Sequence, residues 1–363
     1  MGRRAHILQP LVSTPSFEVV APVIGRFFRK LFGARTPAPQ ARPEHAFVVM
    51  AVEGHRAPAN AIAAEEVEDR FYRLLLGVAP SAEPAMTATE QVAVRRVRDA
   101  FGAERFDVST LPRLPSVVPQ LMRSLRSEDA SSRTLAEQIS RDTVLVGEII
   151  RVANSAYFRT TRPVTGLPQA ITLLGQNGLR RVVMQLVMRP ILRTDNDPTS
   201  RAAGDRLWEH AERCARTCVF LSRPAADPFE AFLAGLVSQT GAQTILLELD
   251  AAGLAQESLS RPFIAAIGQQ IERLSLHAAR HWQFPSRVVQ ALAERADPAD
   301  AGARTPLGRA LLASSRVAML DVLVEQGLAD PESVVLATPA QGFSQDRLQA
   351  ARDDLRATAP AEA

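Results

Sequence analysis

His210, Cys214 and Cys218 recur every four positions, a spacing that puts them on one face of a helix. Imidazole and thiolate both ligate zinc, so either adjacent pair could share an ion. The outer pair is separated by about 12 Å of helical rise and cannot converge on one ion. Cysteine is also a commonly buried small hydrophobe, so the plainer expectation is two buried thiols and a histidine that caps or hydrogen-bonds at a helix surface. His277 and His281 repeat the i, i+4 spacing without an acidic partner at a metal-ligand interval, and are read as solvated or packing histidines.

Ser238 lies in Val237-Ser-Gln-Thr-Gly241, which lacks the glycine-flanked pattern of a nucleophile elbow, so serine hydrolysis is not expected. Gly175-Gln-Asn-Gly178 precedes Arg180 and Arg181, but no Lys-Ser/Thr follows as in a phosphate-binding P-loop. Glycine and asparagine account for it as a tight reversal. Arg180 and Arg181 are candidates for scaffold or partner-surface duty, although two cations do not make a phosphate groove. Trp208 and Trp282 read as anchors between helices, and Pro285 as the start of a helix.

The 363 residues are 46% hydrophobic and 22% charged, a composition that supplies an ample core and excludes a wholly disordered chain. Two cysteines permit at most one disulfide, and four residues apart on a helix they fit a reducing, cytoplasmic setting. Of 42 basic residues only Lys30 is lysine, which reads as compositional bias. Residues 1–36 carry six cations against Glu18, a formal +5 that leaves −2 for residues 37–363 of the overall +3. A near-neutral body disfavours nucleic acid as a partner, because such binding rests on clustered phosphate neutralisation. Ile24, Phe27, Phe28 and Leu31 sit at helical spacing among Arg26, Arg29 and Lys30. Residues 23–32 are therefore a candidate for weak, peripheral contact at the inner membrane surface. The Pro-rich stretch 34–44 reads as a linker.

Beyond it, Val67, Phe71 and Leu74 or Leu75 form one helical stripe, and Thr87 with Glu90 predicts a capping box before Val94, Val97 and Phe101. No chemistry is visible in this stretch. Asp142 can cap a helix carrying Leu145, Ile149 and Ala153. Further helical windows run about 167–174, 178–192, 203–222, 229–248, 262–282, 285–296, 305–326 and 344–356. No alternating strand series competes, so the expected architecture is all-α.

Leu111-Pro-Arg-Leu-Pro-Ser-Val-Val118, Ile139-Ser-Arg-Asp142 and Ile150-Arg-Val-Ala-Asn-Ser-Ala-Tyr-Phe158 resemble the HDOD domain, the HD-related output domain of bacterial signalling proteins. Arg162-Pro-Val164, Gln169-Ala-Ile-Thr-Leu-Leu-Gly175, Trp208, Leu233-Ala-Gly-Leu236, Gly241 and Trp282-Gln-Phe-Pro285 continue the match in family order. The resemblance implies an HDOD-like bundle of packed helices related to the HD-domain fold. It divides the chain into a basic amphipathic segment (1–36), a linker and small helical region (37–105), the HDOD domain (106–300), and a C-terminal helical extension with a short tail (301–363). Asn154, Ser155 and Tyr157 are its most family-like polar cluster and are scaffold or partner-surface candidates.

HD-type phosphohydrolysis would need histidines and an aspartate converging on a metal that activates water. The resemblance places the His-Asp pair of the family's relatives at Ser238 and Gln239, a later histidine at Ile271, and a terminal histidine pair at Glu294 and Arg295. With these positions degenerate, no cofactor, metal or catalytic residue is expected. The expected function is non-catalytic signal transduction or scaffolding through contacts with another signalling protein. The alternatives are a degenerate phosphohydrolase or nucleotide-binding module, and a nucleic-acid-binding regulator.

Overall fold

The computed structural model describes residues 58–81, 83–101, 118, 136–137, 139–155, 158, 162–193, 198–251, 258–297, 304–339 and 341–357. The amphipathic segment at 23–32, the Pro-rich linker, the motif residues 111–117 and Tyr157 lie outside them. In chain order the helices are α1 (Ala64–Leu76), α2 (Ala88–Phe101), α3 (Thr143–Ala153), α4 (Leu167–Leu192), α5 (Pro198–Ser222), α6 (Pro228–Val237), α7 (Ala242–Ala251), α8 (Arg261–His281), α9 (Ser286–Ala296), α10 (Pro306–Glu325) and α11 (Gln345–Ala357). A two-residue strand β1 (Ala61–Ile62) pairs in parallel with β2 (Val334–Val335). The architecture is all-α, as the periodicity predicts.

Local signals set most helix ends. Glu65 and Glu66 open α1 and Arg73 lies in its last turn, each complementing the helix dipole. Gly77 then stops it at φ 67°, a left-handed cap that glycine adopts without strain. Val67, Phe71 and Leu75 bury one stripe. Asp142 caps α3 by accepting from the Leu145 amide. Pro285 is the N-cap of α9, not its first helical residue. The reversal expected at 175–178 is a break at Gly175 alone, with φ 67° and ψ 171°, after which the helix resumes within α4. Only glycine reaches that conformation cheaply.

The window 229–248 divides into α6 and α7. Gly241 donates its N–H to Ser275 Oγ at 2.9 Å instead of continuing the helical ladder. A Cβ there would lie 2.6 Å from the Ile271 carbonyl oxygen, so glycine lets α8 pass the junction.

Packing joins these helices into one continuous core. α5 and α10 form the most extensive pair, with α6 and α11 on α5, and α1 and α9 on α10. α8 packs on α9, α2 and α1, while α3 lies along α4. The helices before residue 106 and after residue 300 therefore share the buried cluster with those between.

The Thr87–Glu90 capping box forms as predicted, with Thr87 N donating to Glu90 Oε2 at 2.7 Å and Glu90 N to Thr87 Oγ1 at 3.2 Å. The same carboxylate also accepts from Ser260 N at 2.6 Å and Ser260 Oγ at 2.9 Å. Ser260 is the N-cap of α8, so one carboxylate orders the starts of two helices. Burial favours its neutral form, but the hydrogen bonds from Ser260 and Thr87 outweigh burial and hold its pKa below the ordinary value. That stabilisation is complete above the unfolded carboxylate pKa of about 4.3 and is lost as pH falls through the folded value. Glu90→Gln is expected to cost about 1–3 kcal/mol at pH 7 and much less at pH 3. Urea unfolding at both pH values checks this, and an equal cost at each would contradict it.

Candidate functional site

The positions expected to hold a His-Asp pair lie where α6 ends. Ser238 and Gln239 are both fully buried, because α5, α9 and α10 all pack on α6. Ser238 Oγ donates to the Gly235 carbonyl at 2.9 Å and lies 3.8 Å from Cys214 Sγ. Gln239 Nε2 donates to the Tyr72 hydroxyl of α1 at 3.2 Å. Burial, reinforced by nearby Glu272, pushes the Tyr72 phenol well above its usual pKa, so it stays neutral.

Arg295 of α9 completes this interior cluster by donating Nε to Glu272 Oε1 of α8 at 2.8 Å. Burial opposes the Arg295 charge, but Glu272 more than offsets it and the guanidinium stays protonated. Arg316 of α10 pairs with Glu68 of α1 at 2.8 Å, and Glu68 also acts electrostatically on Tyr72 and Glu272. Glu294 has a separate task. Its Oε2 accepts from Thr305 N at 2.9 Å and Thr305 Oγ1 at 3.0 Å, while Thr305 Oγ1 caps α10 through Gly308 N at 3.0 Å. The residues at the terminal pair position thus tie α9 to α8 and to α10.

His210 is fully buried, which corrects its expected place at a helix surface. Its ring lies 5.0 Å from that of Phe71, and the Nε2–H tautomer donates to the Ser315 carbonyl at 3.2 Å. Pairing of α5 with α10 on one side and α1 on the other encloses this face of α5. Burial, helped by Arg295, depresses its pKa to about 3 despite the Ser315 bond. Burial likewise raises the Cys214 thiol to about 11 and Cys218 well above its ordinary value, so neither is a thiolate at neutral pH.

His210 makes stability pH-dependent. Below the unfolded histidine pKa of about 6.5 the unfolded state binds a proton that the folded state refuses, so stability rises with pH and this contribution is complete above that value. Stability is expected to fall by about 1.4 kcal/mol per pH unit from this group between pH 6 and 4. Urea unfolding of wild type and His210→Leu over that range checks it. Equal slopes would show that His210 does not govern the window.

The other candidates anchor separate junctions. Asn154 Nδ2 donates to the Val164 carbonyl and its Oδ1 accepts from Val164 N, both at 2.7 Å. This pair of hydrogen bonds from one side-chain amide fixes the approach to α4. Ser155 Oγ is buried without a hydrogen bond among the described residues. Arg181 lies 5.4 Å over the Phe232 ring and donates weakly to the Pro228 carbonyl at 3.4 Å, so its side chain folds inward. Arg180 is partly buried, and burial lowers its pKa. Trp208 is buried beneath Arg189, 6.0 Å away. Trp282 packs 5.7 Å from Phe284 where α8 ends.

A catalytic metal does not fit the described interior. Ser and Gln are weak ligands, and the permanently charged Arg295 guanidinium acts electrostatically on Tyr72 and Cys214, the neighbours of Gln239 and Ser238, as a cation of the protein itself. Among the described residues no three His, Cys, Asp or Glu side chains gather as a metal-binding group. None of the described helices is long and apolar enough to cross a membrane.

The helical bundle defines the class first. The chain resembles the crystal structure of a protein from Shewanella amazonensis, named a "putative metal-dependent phosphohydrolase", at 19% identity and a TM-score of 0.50 over 75% of this chain and 99% of that one. An HDOD domain protein of unknown function from Geobacter sulfurreducens is 16% identical at a TM-score of 0.49, covering 74% and 97%. An uncharacterized Treponema pallidum protein is 23% identical over 202 residues, 55% of this chain and 35% of its own length, so the chain spans about a third of that relative. The HDOD domain pattern matches residues 111–298, more than half of the 363 residues. The chain belongs to the HDOD family.

Proposed function

We propose that this protein is a non-catalytic signal-transduction scaffold whose HDOD domain works by binding another signalling protein on the cytoplasmic side. The carrying observation is the use of the degenerate positions. Ser238 bonds its own helix, Gln239 bonds Tyr72, Glu294 secures α10, and Arg295 neutralises Glu272. Each of these four positions, which phosphohydrolysis would use for ligands, instead joins one helix to itself or to a neighbour, leaving the exterior as the working surface.

The test is turnover of bis(p-nitrophenyl) phosphate by the full-length protein supplied with Mn²⁺ or Fe²⁺, run beside affinity capture from the native cell. Absence of turnover together with specific capture of a signalling protein supports the scaffold. Turnover abolished by Gln239→Ala would overturn it. Residues 23–32 would add a peripheral membrane contact, measured as loss of liposome co-sedimentation when residues 1–36 are deleted.

A further inference from the structure

Gln239 Oε1, His210 Nδ1 and Arg295 Nη1 are buried without a hydrogen bond among the described residues. Gln239 and His210 are fully buried and Arg295 is 6% exposed, so bulk solvent does not serve them. The three side chains share one interior. Gln239 Nε2 meets the Tyr72 hydroxyl at 3.2 Å, and the adjoining Ser238 lies 3.8 Å from Cys214. Cys214 stands four residues beyond His210 on α5, and the His210 ring lies 5.0 Å from that of Phe71, the neighbour of Tyr72. Across this closed circuit the Arg295 charge acts on Tyr72, His210 and Cys214 alike.

The other bonds of these groups fix what each can still do. With its Nε2–H given to the Ser315 carbonyl, His210 keeps Nδ1 as a bare acceptor. Gln239 Oε1 is a second acceptor, since Nε2 already serves Tyr72. Arg295 Nη1 can only donate, and the Tyr72 oxygen, having accepted from Gln239, still has its O–H to give. An anion would take the two donors but meet the lone pairs of Gln239 and His210. Charge does not call for one either, because Glu272 and Glu68 balance Arg295 and Arg316. A metal ion would take the lone pairs but meet the guanidinium. Water both donates and accepts, and a buried water makes about three hydrogen bonds to groups of this kind. We propose that this interior binds a structural water that bridges Gln239 Oε1, His210 Nδ1 and Arg295 Nη1, with the Tyr72 hydroxyl as a fourth contact. That water would join the α6–α7 junction to α5 and α9, and would tie all three to α1, which precedes the HDOD match at 111–298. Where HD-type chemistry requires a metal, the ligand would be solvent held as part of the fold.

Oxygen-17 magnetic relaxation dispersion of the full-length protein tests this, because it counts waters held longer than the protein tumbles. Wild type is expected to hold one more such water than Gln239→Leu, which keeps much of the side-chain volume and removes the acceptor. Tyr72→Phe keeps the ring and removes one donor, and is expected to release the same water at least tenfold faster. It decides the matter if circular dichroism finds Gln239→Leu unfolded. Equal dispersion in wild type and the folded variants overturns the proposal. So does a signal lost on adding bromide, which would assign an anion to the site. Either result leaves the partner-capture outcome untouched.

Discussion

Arg295→Ala is expected to destabilise the protein by about 3–5 kcal/mol, the cost of stranding one partner of a buried ion pair. Glu272 would lose its 2.8 Å bond while keeping the burial that already favours its neutral form. Tyr72 and His210 would lose the positive charge that acts on both. The double variant Arg295→Met with Glu272→Met removes both charges and restores much of the volume, so it should recover most of the loss. Urea unfolding of wild type, single and double variants measures this. A double variant as unstable as the single one would show that volume, not the charge pair, governs the interior.

Gly235→Ala is expected to cost about 3 kcal/mol, near the top of the range for overpacking. A Cβ at Gly235 would lie 2.5 Å from Ala215 Cα, 2.6 Å from Ala215 N and 2.7 Å from Cys214 C. All three are backbone atoms of α5, so no rotamer change relieves the clash and α6 must move away. Ser238 and Gln239 would move with it. Gly147→Ala is the control, since nothing lies within 4 Å of its Cβ position and alanine in a helix interior is favoured by about 1 kcal/mol. Thermal unfolding followed by circular dichroism should shift the two variants in opposite directions. A Gly235→Ala midpoint equal to wild type would mean that α6 and α5 separate freely.

Features written within a few residues were legible in the sequence. The α1 stripe, the Thr87–Glu90 box and the Asp142 cap follow from side-chain spacing alone, and the HDOD motifs fixed the family. The site was legible only in outline: Ser238 and Gln239 stand out as replaced positions, but the side chains that meet them do not. Tyr72 reaches Gln239 across 167 residues, and within its own helix it reads as one more large residue near an apolar stripe. The second role of Glu90 spans 170 residues, beyond any capping pattern. The break at Gly241 is set by the approach of α8, and β1 and β2 are too short for alternation to register. His210 was misplaced because spacing reports which residues share a face but not what covers it.

The position of α1 has a consequence for synthesis on the ribosome. α1 packs against α10, which begins at residue 306. At about 5–20 residues per second, α1 emerges on the order of 10–50 s before its covering helix exists. During that interval the part of α1 that packs on α10 has no native shelter, which makes nascent chains halted before residue 306 natural clients for a chaperone.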